Sequence, residues 1–213
     1  MAEWLADRVG AHGSVTAIDL DTALLADLGR RQNVTVVEGD LSTMEFPASR
    51  FDLVHSRSVL MHLEDPGALV DRLVTSLRPG GWVLFEEADG APAQRAESAG
   101  GLPVPYVRVM VPLAANWTWA RHLADRLASL GLVDVDDEVR EDLLVGATPA
   151  AAFWRQTLER IRPLVTNRSR MDDLGREPVD ADSYDAMLSL LDDPSFEVPF
   201  AARHRVTGRR PTG

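Results

Sequence analysis

The chain contains no cysteine, which excludes disulfides and thiolate metal sites. It contains no lysine either, and all 22 cationic residues are arginines; we read this as the codon bias of a high-GC genome, not as a functional signal. Long apolar runs are missing: none approaches the roughly 20 residues of a membrane span. Glu3 and Asp7 within the first ten residues are unlike a secretory leader, so a cytoplasmic protein without membrane partners is expected. Positive charge is scarce. The 33 acidic residues leave a net charge of −11 and a pI near 4.8, which argues against a general nucleic-acid binder. The five histidines show no ligand spacing, and no metal is expected.

What is present is an α/β pattern. The 213 residues, 45% of them hydrophobic, suffice for one sizeable core, and a single domain over residues 1–213 is expected. MAEWLADRVG reads as a helix with Trp4, Leu5, Arg8 and Val9 on one face. Val15 to Ile18 is a β-branched strand, and Asp21 to Gln32, with Leu24, Leu25 and Leu28 in a stripe, predicts a helix capped by Asp21. NVTVVEGD is a second strand, LSTMEFPASR a loop, FDLVHS a third strand, and Ser58 to Leu63 a short helix. Asp65-Pro66 reads as an N-cap followed by a proline in the first turn, ahead of the stripe Leu69, Val70, Leu73, Val74 and Leu77. RPGG then ends the helix and WVLFEEA is a fourth strand. This strand–helix alternation with near-continuous apolar strands indicates a mostly parallel sheet.

Beyond Asp89, APAQRAESAGGLPVP reads as a loop and WTWARHLADRLASLGL as an amphipathic helix. VDVDDEVREDLLV alternates as an exposed strand, and Pro149 to about Arg170 is helical with Phe153, Trp154, Leu158 and Ile161 on its apolar side. Another helix spans Asp182 to Leu191. FEVPFAARHRV is a last strand, assigned to a sheet edge because Pro199 interrupts it, and GRRPTG is a frayed tail.

Two strands end in acids, and ligands of open α/β sheets sit beyond the carboxyl ends of strands. An acid after a strand of a nucleotide-binding sheet can accept charge-assisted hydrogen bonds from both ribose hydroxyls, which is one use for Asp19. Asp40 could accept from the exocyclic amine of an adenine, with Leu20 and Leu41 against the ring. The plainer alternative is that each acid solvates a strand end or caps a helix. At the end of FDLVHS, His55 has the intrinsic pKa of about 6.5 that suits a base; the alternative is a strand-end residue bonded to backbone. Arg57 sits with His55 where a substrate could approach, and of Glu86, Glu87 and Asp89 after the WVLF strand one could face a substrate or take a proton; the alternative there is a solvated acidic turn.

VTAIDLD, VEGD, FDLVHSRSVLMHL and LRPGGWVLFEE, in this order and spacing, resemble the class I S-adenosylmethionine-dependent methyltransferases, nearest the small-molecule branch that includes ubiquinone/menaquinone-type enzymes. The resemblance covers about Glu3 to Ala88. It implies a Rossmann-like α/β fold, S-adenosylmethionine as cofactor and a small-molecule acceptor, in bacterial specialised metabolism. Residue by residue it implies that Asp19 holds the ribose, Leu20 flanks the adenine, Asp40 and Leu41 bind its edge, and His55 and Ser56 lie near the methionine end. Residues 1–89 would be the cofactor half and 90–213 the substrate half, with a helical lid over about 149–193 inserted before the last strand.

The family's glycine-rich motif, on a first strand and the turn that follows, is expected just before Met1. Gly80-Gly81 and Gly100-Gly101 do not replace it. From this follow the expectations of a missing central strand, weak or no cofactor binding and a tendency to aggregate or dimerise. A methyltransferase-like protein without methyl transfer, serving as a binding partner or catalysing another reaction, is therefore the alternative. A nicotinamide-dependent dehydrogenase fits less well: there is no lysine for a Tyr/Lys pair, and the tyrosines are Tyr106 and Tyr184 alone.

Overall fold

The computed structural model describes residues 1–98, 116–173 and 177–212. Its contacts divide the chain into two compact units, Met1–Phe46 and Pro47–Gly213.

In the first unit, α1 (Ala2–Val9) precedes two parallel strands, β1 (Val15–Asp19) and β2 (Val34–Glu38), paired from Val15↔Val34 to Asp19↔Glu38. The residue of α1 that is fully buried is Ala6, whereas Trp4 is 59% exposed and Val9 is also exposed, so the expected apolar face is not the packed one. The Asn33 side chain fastens the end of α1 to the start of β2. Its Nδ2 donates to the carbonyls of Ala6 (2.8 Å) and Gly10 (3.0 Å), which also accept from the N–H groups of Gly10 and Gly13. The helix expected over 21–32 is replaced by two 3-10 turns, Ala23–Leu25 and Leu28–Arg30. Leu24 is 97% exposed and Leu25 and Leu28 are only partly buried, so the stripe gains no fully buried face, and a short helix with little burial is marginal. Asp21 still opens the segment, accepting from the Ala23 N–H at 2.9 Å.

The second unit holds a four-stranded sheet in the order β3-β4-β6-β5, from β3 (Phe51–Arg57), β4 (Leu77–Asp89), β5 (Val133–Val145) and β6 (Glu197–Arg209). β3 and β4 are parallel; β6 runs antiparallel to both β4 and β5. The helices are α2 (Pro66–Ser76), α3 (Ala91–Ser98), α4 (Leu123–Ser129), α5 (Pro149–Val165), α6 (Arg168–Asp173) and α7 (Ala181–Leu190). Asp65 caps α2, accepting from the Ala68 N–H at 2.9 Å, and Leu69, Val70, Leu73 and Val74 form its buried face. Along β4 burial alternates: Val83, Phe85, Glu87 and Asp89 are inside, while Trp82, Leu84, Glu86 and Ala88 alternate with them on the more exposed face.

Several expectations are corrected in this unit. RPGG does not precede the strand but belongs to β4, with Gly80 at φ +82, a backbone conformation that glycine adopts without strain. β6 is interior, not an edge. Pro199 is tolerated because it lies beyond the stretch paired with β4, which begins at Ala202, and opposite Leu143 at a break in the β5 register. The tail is held through Arg210, whose N–H donates to Gly81 and whose carbonyl accepts from Gly80. Residues 91–98, expected as loop, are α3, started by Asp89 accepting from the Ala91 N–H at 2.8 Å. The rest of that loop, with Gly100, Gly101 and Tyr106, lies outside the described residues. The helix expected over Ser58 to Leu63 shrinks to a 3-10 turn at Leu60–His62, and the one from Trp117 is a 3-10 turn (Trp119–His122) followed by the short α4.

Two positions explain how the helices meet the sheet. A Cβ on Gly90 would stand 2.1 Å from the Trp117 ring, so only glycine lets this turn pass. The segment 149–193 builds its own core, in which Leu158, Met171, Tyr184 and Met187 pack with Trp117, Leu144 and Val198. At its centre the Tyr184 hydroxyl donates to the Leu158 carbonyl at 2.7 Å. Phe153, expected on the apolar side, is 62% exposed.

Candidate functional site

In the first unit the four residues singled out from sequence gather at the carboxyl end of the β1–β2 pair. The Gly39 N–H donates to the Asp19 carbonyl at 3.0 Å, which sets Asp40 and Leu41 beside Asp19 and Leu20 in the backbone. The Asp19 carboxylate is exposed and engages only the Asp21 N–H, at 3.2 Å, among the described residues. Leu20 is 71% exposed. An exposed carboxylate with one oxygen still open, next to an exposed apolar side chain, fits a ribose beside an aromatic base. Asp40 is more committed: its Oδ1 accepts from the Ser42 hydroxyl (2.6 Å) and N–H (2.8 Å), and these bonds hold its carboxyl below the usual range. Glu38, not singled out from sequence, stands opposite Asp19 in the ladder and accepts from the Thr22 hydroxyl at 3.1 Å.

In the second unit, the ends of β3 and β4 bring His55, Ser56, Arg57, Glu86 and Glu87 together. His55 Nε2 is 2.9 Å from Glu86 Oε2, and the imidazole is mostly buried. A neutral His55 that donates from Nε2 keeps Nδ1 as an acceptor, the form a base requires. Glu87 turns inward, 3% exposed. One of its oxygens, Oε1, accepts from the Val59 N–H (3.0 Å), the Leu60 N–H (3.2 Å) and the Ser56 hydroxyl (3.3 Å), tying the turn after β3 to β4. The other, Oε2, is buried without a hydrogen-bond partner among the described residues. Burial pushes the Glu87 carboxyl up, against the lowering effect of those donors. A cavity of about 330 Å3 opens at these strand ends, lined by Arg57, Glu86 and residues of β5 and β6.

Sequence reasoning passed over a buried ionic cluster. His204 Nδ1 is 2.9 Å from Asp137 Oδ2, and its Nε2 is 3.7 Å from Asp89 Oδ2. Arg121 clasps Asp89 with two bonds of 2.7 and 2.9 Å. Asp89 and His204, charged or polar residues at otherwise apolar inward positions of β4 and β6, were the available signal. Among the described residues no cluster of histidines and acids could hold a metal ion, and no helix is long and apolar enough to cross a membrane.

The layout is the α/β fold of the class I methyltransferases. Residues 1–85 match the family model described as a methyltransferase domain. Methyltransferase str2 of Strobilurus tenacellus is 39% identical over 91 residues, 41% of this chain and 32% of that protein, so the chain spans about a third of that relative's length. Among solved structures, phosphoethanolamine N-methyltransferase 2 of Haemonchus contortus, in complex with phosphomonomethylethanolamine and S-adenosylhomocysteine, is similar with a TM-score of 0.54 at 19% identity, over 96% of this chain and 46% of that one. The [4+2]-cyclase SpnF is similar with a TM-score of 0.54 at 18% identity, over 94% of this chain and 67% of that one.

Proposed function

We propose that the chain takes part in S-adenosylmethionine-dependent methyl transfer to a small-molecule acceptor, as in the ubiquinone/menaquinone-type branch that its sequence resembles, in the cytoplasm. The observation that carries this reading is the methyltransferase-domain match over residues 1–85, which contains both acid-ended strands and the His55 strand. On this reading residues 1–89 serve the cofactor, and 90–213 shape the acceptor pocket beneath the helical segment 149–193.

The bound cofactor supplies an electrophilic methyl on a sulfonium. The chain's own residues do the rest. Asp19 accepts from the ribose hydroxyls, Leu20 flanks the adenine, and Asp40 and Leu41 meet its edge. His55 and Ser56 border the methionine end. Glu86 orients His55, whose Nδ1 takes the proton that the acceptor loses. Arg57 and Glu86 face the acceptor, and Glu87 steadies the turn above it. Positioning and exclusion of water then supply much of the rate of an in-line displacement.

Asp19→Ala should weaken binding of S-adenosylhomocysteine by about 1–3 kcal/mol, the range for losing charge-assisted hydrogen bonds. Titration calorimetry on the folded variant and its parent measures this, and equal affinities would remove Asp19 from the ribose site.

The likeness to a cyclase supports a second reading, catalysis of another reaction on the same scaffold. Release of S-adenosylhomocysteine during acceptor turnover separates the two: methyl transfer requires it in equal amount with product.

A further inference from the structure

The cavity at the ends of β3 and β4, beside the middle of β5 and β6, has a charge layout that methyl transfer alone does not call for. Two rows of paired residues cross the sheet there. The first runs Arg57, Glu86, Arg205, Glu138, alternating in sign. The second runs Ala88, Arg203, Arg140, with two arginines directly opposite each other. Like charges facing across an antiparallel ladder repel, and Ala88 beside them leaves room rather than a counter-charge.

Glu87 also borders the cavity, with its side chain turned inward and one oxygen, Oε1, held by three donors, and the other nearby acids are engaged. Glu86 bonds His55, Glu138 pairs with Arg205, and Asp142 takes Arg203 through bonds of 2.6 and 3.0 Å. Among the described residues, Arg57 and Arg140 are left without a carboxylate. Both line the cavity, in a chain whose net charge is −11. Guanidinium groups bind planar or tetrahedral oxyanions through paired N–H donors, and an oxyanion here would relieve the Arg140–Arg203 repulsion.

We propose that this cavity binds the anionic end of a small-molecule acceptor, a phosphate or carboxylate held by Arg57 and Arg140. The inference rests on the methyl-transfer reading for the word acceptor, but the anion site itself does not. Its position beside the His55–Glu86 pair puts the anchored end of the molecule next to the group assigned as base.

The test is a thermal-shift titration of the whole chain at constant ionic strength, with glycerol 3-phosphate, glycerol and acetate as probes, on the parent and on Arg57→Gln/Arg140→Gln. Both side chains are exposed, so the variant should fold; its melting without probe checks that, and Arg140→Gln alone is the reserve. Glycerol 3-phosphate or acetate should stabilise the parent saturably while glycerol does not, and the double variant should raise the apparent Kd at least tenfold. The more potent of the two anions identifies the group. An effect no larger than that of added chloride, or equal Kd values in parent and variant, would overturn the inference. A parallel titration with S-adenosylhomocysteine covers the one other carboxylate source. If the variant loses that ligand and keeps glycerol 3-phosphate, the arginines serve the cofactor and the inference falls. If the parent itself fails to bind S-adenosylhomocysteine, the methyl-transfer reading fails, and the anion titration still decides the cavity.

Discussion

Glu87 and Glu86 are neighbours with opposite fates, and the strand's alternation is the cause. Glu86 faces the cavity and pairs with His55, while Glu87 faces inward and gathers three donors on one oxygen. Burial raises the Glu87 carboxyl above its ordinary 4.5. The folded state therefore holds this proton more tightly than the unfolded chain. The stability Glu87 contributes is complete below the unfolded value and is lost as pH rises through the raised folded value. Glu87→Gln keeps the accepting oxygen and cannot ionise. The melting temperature of the variant, relative to the parent, should climb as pH rises above the ordinary carboxyl value of 4.5; a difference that stays flat as pH rises from there would mean that Glu87 is not held protonated by the fold.

Elements here begin where capping chemistry allows and persist only where a face is buried. α2 has both: the Asp65 cap and proline start it, and four apolar residues bury against the sheet. The segment 21–32 has the cap-like Asp21 but no burial for Leu24, and it settles into 3-10 turns. Asp65→Ala should destabilise the fold by about 1 kcal/mol, the usual cost of an N-cap, read from the midpoint of urea unfolding. Asp21→Ala removes a bond from a segment with no packed helix and should change the midpoint far less. Similar losses at both sites would show that the 21–32 segment carries more of the stability than its exposure allows.

At the scale of the molecule the two units differ in how much core they own. In Met1–Phe46 the buried apolar residues are Ala6 and Val34, whereas Pro47–Gly213 contains the whole interior of the four-stranded sheet and the helical core around Tyr184. Opening free energies follow buried contact. Amides of β1 and β2 should exchange with deuterium faster than those of β4 and β6, resolved by peptide mass spectrometry. Equal protection would mean that the first unit is stabilised by more than its own core. In the second unit β3 is an edge strand of the four-stranded sheet, with Leu53 43% exposed and Trp82 on neighbouring β4 39% exposed.

The sequence by itself located the six described strands, though not the start of β4 or the end of β6, as well as the capped start of α2 and the placing of acids at the ends of β1 and β2, because alternation, β-branching and capping act over a few neighbouring residues. It also carried the likeness to methyltransferases through four short motifs in register. Only the tertiary structure decided which strands are neighbours. Alternation tells which face a residue takes, not which strand lies beside it, so β6 was placed at an edge although it runs between β4 and β5. The Arg140–Arg203 pair and the Asp89–Arg121–His204–Asp137 cluster were illegible for the same reason: their members are far apart in the chain and meet only through that insertion of β6. The inward turn of Glu87 was similarly hidden, since burial depends on what covers a strand's face, and that is set by helices elsewhere in the chain.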